Sequence, residues 1–133
     1  MPQDYRKALE LWHRAAKLGY AEAYNNIGYA YKYGRGVETD KKKGVYYYEL
    51  AAMGGDVAAR FNLGNNEERM GNFDRAIKHW MIAVGGGSSK SLKKIQELYS
   101  DVRWLNIAAE NVKLLTVHNI RKNVKDERLN YMI

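Results

Sequence analysis

The most obvious candidates in this sequence for base or metal chemistry are three histidines, His13, His79 and His118. Cysteine is absent, which removes thiol nucleophiles, thiolate metal sites and disulfides together and leaves the redox compartment unreadable. No two histidines stand three or four residues apart, the spacing that would put two metal ligands on one helix face. Glu67 and Glu68 are adjacent, so on a helix they point in different directions and do not form an acid–base pair. Gly85-Gly86-Gly87-Ser88-Ser89-Lys90-Ser91 resembles a phosphate-cradling loop only in composition. That loop needs Gly-x-x-x-x-Gly-Lys-Ser/Thr after a strand, and this stretch follows a helical pattern. The expectation is a non-enzymatic chain with no cofactor and no metal.

The residue types that remain are those of recognition. The 133 residues carry a net charge of +7, and eleven of them are tyrosine. A positive balance favours an acidic partner, which leaves an acidic peptide, nucleic acid and a membrane surface to be separated by pattern, and a membrane is not expected. Tyr46-Tyr47-Tyr48 beside Lys41-Lys42-Lys43 has the ingredients of base stacking and phosphate contact. A packing account is simpler: Tyr48 falls on a repeated core position, its neighbours lie on other faces, and the lysines precede a helix in a solvated loop. Binding of nucleic acid is therefore not expected. Met1-Pro2-Gln3-Asp4 leads straight into amphipathic sequence with no apolar run long enough for a signal peptide or a membrane span. The compartment is not readable.

These residues are positioned by repetition. Trp12-His13-Arg14-Ala15-Ala16-Lys17-Leu18-Gly19 returns 36 residues later as Tyr48-Glu49-Leu50-Ala51-Ala52-Met53-Gly54-Gly55, and Ala23-Tyr24-Asn25-Asn26-Ile27-Gly28 returns as Ala59-Arg60-Phe61-Asn62-Leu63-Gly64. A third copy follows at an offset of 32, with Trp80, Ala83, Gly87, Ile95 and Tyr99 in the equivalent places. A period of this length marks stacked supersecondary units that cannot bury their apolar faces alone. In this register His13 aligns with Met81 and His79 with Leu11, so the histidines share no repeat position and are read as surface or groove-edge residues.

Each unit reads as two helices. Lys7 to Lys17, Lys43 to Met53 and Asp74 to Val84 carry apolar residues at three- and four-residue spacing and form one set, termed B. Ala21 to Tyr33, Val57 to Met70 and Ser89 to Tyr99 form the other set, termed A, and open after Gly19, Gly55 and Gly87. Those glycines suit a left-handed turn, and Asp56 and Ser88 suit the N-cap that follows it. Ala15, Ala16, Gly28, Ala51, Ala52, Gly64 and Ala83 permit close helix approach, and Trp12, Tyr48 and Trp80 fill the wider gaps.

Leu-Gly or Ile-Gly, an aromatic, Gly34-Arg35-Gly36-Val37, Asp40, a lysine, an aromatic and Ala-Ala-x-x-Gly together resemble the Sel1-like repeat, a relative of the tetratricopeptide repeat, over about residues 4 to 100. The resemblance implies an all-α fold: a right-handed α-α solenoid of antiparallel helix pairs, with a C-terminal helical extension or cap. Two departures stand out. The second unit replaces the Gly-x-Gly-Val loop by Met70-Gly71-Asn72-Phe73-Asp74-Arg75-Ala76, closer to the shorter tetratricopeptide connection, and the chain opens on a B helix with its first repeat half present.

The resemblance also implies that the A helices line a concave face. The groove candidates are then Asn25, Asn26, Tyr29, Lys32 and Tyr33, followed by Phe61, Asn62, Asn65 and Arg69, and by Lys90, Lys93 and Lys94. Asparagines hydrogen-bonding a peptide backbone and lysines meeting a carboxylate would make a protein or peptide site with an acidic preference. Asn62, Lys90 and Lys94 fall at three places of the carboxylate clamp found in some tetratricopeptide domains. Asn25 and Tyr29 replace its first-helix Lys and Asn, which argues against that sharper reading.

Two domains are expected, residues 1–100 as the repeat solenoid and 101–133 as a helical extension. From Ser88 onward there is no Gly or Pro, and Val102, Leu105, Ala109, Val112 and Leu115 keep helical spacing. Helix is expected from Ser89, or from just after Ser100, to about Leu115, with a second stretch from about Asn119 to Asn130. The half repeat at the start and the abrupt loss of pattern after Tyr99 point to an engineered chimera; a natural capping helix is the alternative. As a cap the segment predicts a monomer and, in the extreme, a designed fold with no natural ligand. As an exposed stripe of Trp104, Ile107, Val117 and Ile120 it predicts a homo-oligomer. A weak RNA or acidic-ligand binder through the basic surface is the remaining alternative.

Overall fold

The computed structural model describes residues 4–101 together with 109 and 110. It divides into two compact units, Met1–Ile95 and Gln96–Ile133. Within the first, five helices of thirteen residues each run as α1 Tyr5–Lys17, α2 Ala21–Tyr33, α3 Lys41–Met53, α4 Val57–Arg69 and α5 Phe73–Gly85. A sixth helix, α6, opens at residue 89 and is helical through 101. In the second unit, residues 96–101, 109 and 110 are helical. The other positions of the two C-terminal stretches, with His118 and the Trp104, Ile107, Val117, Ile120 stripe, lie outside the described residues.

The helix boundaries follow from local chemistry. Asp4, Asp40 and Asp56 each accept a hydrogen bond from the backbone N–H three residues on, at 3.1, 3.1 and 2.9 Å, and Ser88 Oγ accepts one from Ser91 N at 3.1 Å. Each cap satisfies one amide that the first helical turn leaves without an intrahelical acceptor. With Asp40 as its cap the helix opens two residues earlier than expected, so Lys41-Lys42-Lys43 form the first turn of α3 and not a solvated loop before it. Gly19, Gly55 and Gly87 take φ of 96°, 91° and 96°, the left-handed values that let the short links from α1 to α2, α3 to α4 and α5 to α6 fold back.

The fold is all-α among the described residues, an α-helical repeat solenoid built of antiparallel pairs. α2 packs between α1 and α3, α4 packs between α3 and α5, and α2 touches α4 directly. The core follows the small-residue code. Ala51, Ala59, Ala76 and Ala83 are fully buried, and two aromatic side chains, Tyr48 and Trp80, are buried among them. Each ring sits on a glycine of the preceding A helix. A Cβ at Gly28 would meet Tyr48 Cδ1 at 2.7 Å and the Gly44 carbonyl oxygen at 2.8 Å, and a Cβ at Gly64 would collide with the indole of Trp80. Trp80 Nε1 donates to the Phe61 carbonyl at 3.3 Å, which settles the one polar group that the indole buries. Trp12, the first member of the series, is half-buried against Ala16, Ala23 and Ile27, and no helix precedes it among the described residues.

Candidate functional site

The A-helix residues fall into two groups, those that tie one repeat to the next and those left open. Asn62 Nδ2 donates to Asn25 Oδ1 at 2.9 Å, joining α2 to α4. One repeat further on the same job is done by charge, with Lys94 Nζ 2.7 Å from Glu68 Oε1 and both side chains about 30% exposed. Lys94 also lies over the Trp80 ring, its Nζ 5.3 Å from the centroid. Asn25, Asn62 and Lys94 therefore spend their polar groups within the protein. Glu67 and Glu68 do point in different directions, yet neither is simply solvated, because Glu67 Oε2 accepts from Asn72 Nδ2 at 2.9 Å.

The open group lies on α2 and α4. Tyr29 and Tyr33 are about half exposed, and their rings meet at 4.6 Å with a 48° tilt. Lys32 Nζ stands 5.1 Å from the Tyr33 centroid, and Arg69 is exposed at the end of α4. Tyr29, Tyr33 and Arg69 all act on one phenol. Tyr48 is held well above the usual tyrosine pKa first by burial and then by Tyr33 and Tyr29, with the Arg69 guanidinium opposing. Asn65, at the α4 position equivalent to Tyr29, has a buried Oδ1 without a hydrogen-bond partner among the described residues. An amide oxygen left so costs about 1–3 kcal/mol. Asn26 and Phe61 are half-buried, and Lys90 and Lys93 are exposed on α6.

Other polar side chains are absorbed by packing. Tyr47 is stacked on Tyr31 at 5.5 Å and 6° and on Tyr24 at 6.2 Å and 20°, with the His13 ring edge-on at 5.9 Å. His79 Nδ1 is 3.4 Å from Arg60 Nη1, and burial followed by that guanidinium pushes the imidazole pKa down. Both histidines are half-buried, and among the described residues no three metal-ligating side chains cluster. The tyrosine stack was missed in the sequence, where Tyr46-Tyr47-Tyr48 showed only that one ring belonged to the core. The signal for it was Tyr24 and Tyr31, two helical turns apart on one face of α2.

The comparisons with known proteins agree with this architecture. The Sel1 repeat family model matches residues 1–20 and 21–56. Over 62 residues, 47% of its length, the chain is 34% identical to protein sel-1 homolog 2 of Homo sapiens, with the same figures for the Mus musculus protein. It spans only 9% of those relatives' own length. A Sel1 repeat protein from Oxalobacter formigenes superposes with a TM-score of 0.67 at 26% identity, over 84% of this chain and 52% of that one. The Escherichia coli protein c5321, described as a protective antigen of uropathogenic strains with an SLR fold, gives 0.67 at 28% identity over 76% of this chain and 22% of its own. With the glycine-seated aromatics and the repeat matches in agreement, the chain carries Sel1-like repeats, a motif that generally builds protein–protein interaction scaffolds.

Proposed function

We propose that this chain is a non-enzymatic scaffold that holds an extended, acidic peptide segment of a partner protein on the exposed face of its A helices. The observation that carries the reading is the half-exposed pair Tyr29 and Tyr33, ring to ring at 4.6 Å, with the exposed Arg69 of the next A helix near enough to act on the same buried phenol, Tyr48. Tyrosine and arginine are the side chains that dominate binding energy at protein interfaces. A ring gives large contact area at low entropic cost, and a guanidinium gives two parallel hydrogen bonds to a carboxylate. Lys32, and on α6 Lys90 and Lys93, would extend the positive field along the peptide, and Asn65 would gain a partner if its amide turned to meet a backbone N–H. Asn25, Asn62 and Lys94 hold the helices in register beneath this surface.

The test is selection of binders from a displayed peptide library against the full chain, followed by titration of the winners against Arg69→Ala and Tyr33→Ala. The reading expects acidic winners whose affinity drops at least tenfold in each variant, the loss of a truncated interface anchor of about 1.4 kcal/mol or more. Winners without acidic residues, or winners that bind both variants as well as the parent, would remove it. So would tighter binding of homopolymeric RNA with a steep dependence on salt.

A further inference from the structure

We infer that the groove between α3 and α4 is a second docking site, which takes a glycine-bearing, acidic turn of a partner protein in place of a loop that the second repeat has lost. The groove holds about 450 Å³ and is lined by Lys41, Lys42, Val45, Asn66, Glu67 and Met70. Shifted back by the repeat offset of 36, those positions are Tyr5, Arg6, Leu9, Ala30, Tyr31 and Gly34. In the first repeat this place is covered by the chain itself. Gly36 lies so close on the start of α1 that a Cβ there would meet the backbone oxygen of Tyr5 at 2.6 Å and Arg6 N at 2.8 Å, and the Arg35 guanidinium lies 5.4 Å from the Tyr5 ring centroid.

The second repeat cannot do the same. Residues 34–40 separate α2 from α3, whereas only residues 70–72 separate α4 from α5. The link is four residues shorter and has no room for the Gly-x-Gly-Val turn, and the surface that turn would cover is open, with Met70 two-thirds exposed and Val45 half-buried. The first repeat thus supplies a description of the occupant: a turning stretch with a glycine where the backbone must approach the helix start, followed by a small apolar side chain.

Charge sets the remainder. Where the first repeat has Tyr5 to receive Arg35, the second has Lys41, followed by Lys42, both exposed. They stand in the first turn of α3, whose backbone N–H groups add positive potential. Glu67 is held by Asn72 at 2.9 Å, so its charge is partly met within the groove. An occupant with an acidic residue before its glycine, where the chain's own loop has an arginine, complements this site. The site is separate from the A-helix face of the preceding proposal and stands or falls without it.

The probe is fluorescein-labelled acetyl-Glu-Gly-Val-Glu-Thr-Asp-amide, the chain's own loop with its arginine replaced by glutamate, titrated against the full chain by anisotropy. The expected result is saturable binding, at least tenfold weaker for the peptide with lysine in place of each acidic residue. Binding should fall at least tenfold in the Lys41→Glu/Lys42→Glu double variant and in Met70→Asp, each confirmed as folded by circular dichroism. Replacing Met70-Gly71-Asn72 by the seven-residue loop of the first repeat should abolish binding and raise Tm, because the groove is then filled in cis. Absence of binding to the parent chain, equal affinity for the lysine peptide, or unchanged affinity in the folded point variants or the loop-restored chain would each overturn the inference.

Discussion

The repeat α2–α3 and the repeat α4–α5 are built on one skeleton and finished differently. In both, a glycine in the A helix seats an aromatic ring from the B helix, Gly28 under Tyr48 and Gly64 under Trp80. Around that common contact the details diverge. The first repeat has a seven-residue loop closing over α1 and a stack of Tyr24, Tyr47 and Tyr31. The second has a three-residue link, no such stack among its described residues, and a lysine–glutamate tie to the next helix in place of an asparagine pair. The contact that recurs is the one that specifies how helices meet, and the positions free to change are those at the surface, where a partner would be recognised.

The largest test of this comparison is to remove the rings. Trp80→Ala and Tyr48→Ala should each cost about 3–5 kcal/mol, the range for deleting a fully buried aromatic, read as a fall in the urea midpoint of the full chain. Trp80→Ala should sit toward the upper end, since it also frees the Phe61 carbonyl. A loss below about 1 kcal/mol at Tyr48 beside a full loss at Trp80 would break the equivalence. It would mean that the first repeat is centred on its tyrosine stack and not on the glycine seat.

The seats give a smaller and more discriminating effect. Gly64→Ala and Gly28→Ala each gain about 0.8–1 kcal/mol of helix propensity, yet each forces a methyl into an occupied place, at about 1–3 kcal/mol. The two sites differ in what must yield. At Gly64 the three nearest atoms all belong to the Trp80 ring, so Gly64→Ala combined with Trp80→Leu should recover most of the loss. At Gly28 the Gly44 backbone carbonyl also blocks the methyl, so Gly28→Ala combined with Tyr48→Leu should not recover. Equal rescue at both positions, measured in the same denaturation series, would show the distinction to be wrong.

Much of the skeleton was legible in the sequence, and the reason is physical. Ala-Ala-x-x-Gly and Ile-Gly or Leu-Gly are packing requirements that recur because the contact recurs, so comparison of the chain with itself exposes them. Asp56 and Ser88 were readable as caps for the same reason, and α2 was placed to the residue. What the chain does with its polar side chains was much less legible. Asn25 and Asn62 look like ligand-binding amides in one dimension and turn out to hold each other, because the partner of a polar group is fixed by helix packing across a repeat and not by spacing along the chain. The open groove was equally hidden: the shortened link at Met70-Gly71-Asn72 was visible as a departure, but the surface it uncovers belongs to α3 and α4, and only the folded arrangement joins them.

The smallest effect separates the repeats by pH. In the first repeat Tyr47 and Tyr48 both have pKa values raised, in each case first by burial, so the folded state keeps them neutral above the ordinary tyrosine value of 10.0 while the unfolded chain ionises. Stability from this source is fully present below pH 10.0 and is lost as the pH rises beyond it, at up to about 1.4 kcal/mol per pH unit for each proton of difference. The second repeat buries an indole in the equivalent place, and an indole does not titrate. Its own weakness lies on the acid side, where the lowered His79 pKa gives stability that is present above 6.5 and is lost as the pH falls toward the folded value. Tyr48→Phe should flatten the decline of the urea midpoint between pH 9 and 11 and leave the acid limb unchanged, while His79→Gln should do the reverse. If Tyr48→Phe left the alkaline limb as steep as before, the phenol would be reaching solvent through the open Tyr29, Tyr33 and Arg69 surface, and that surface would be deeper than a face on which a peptide merely lies.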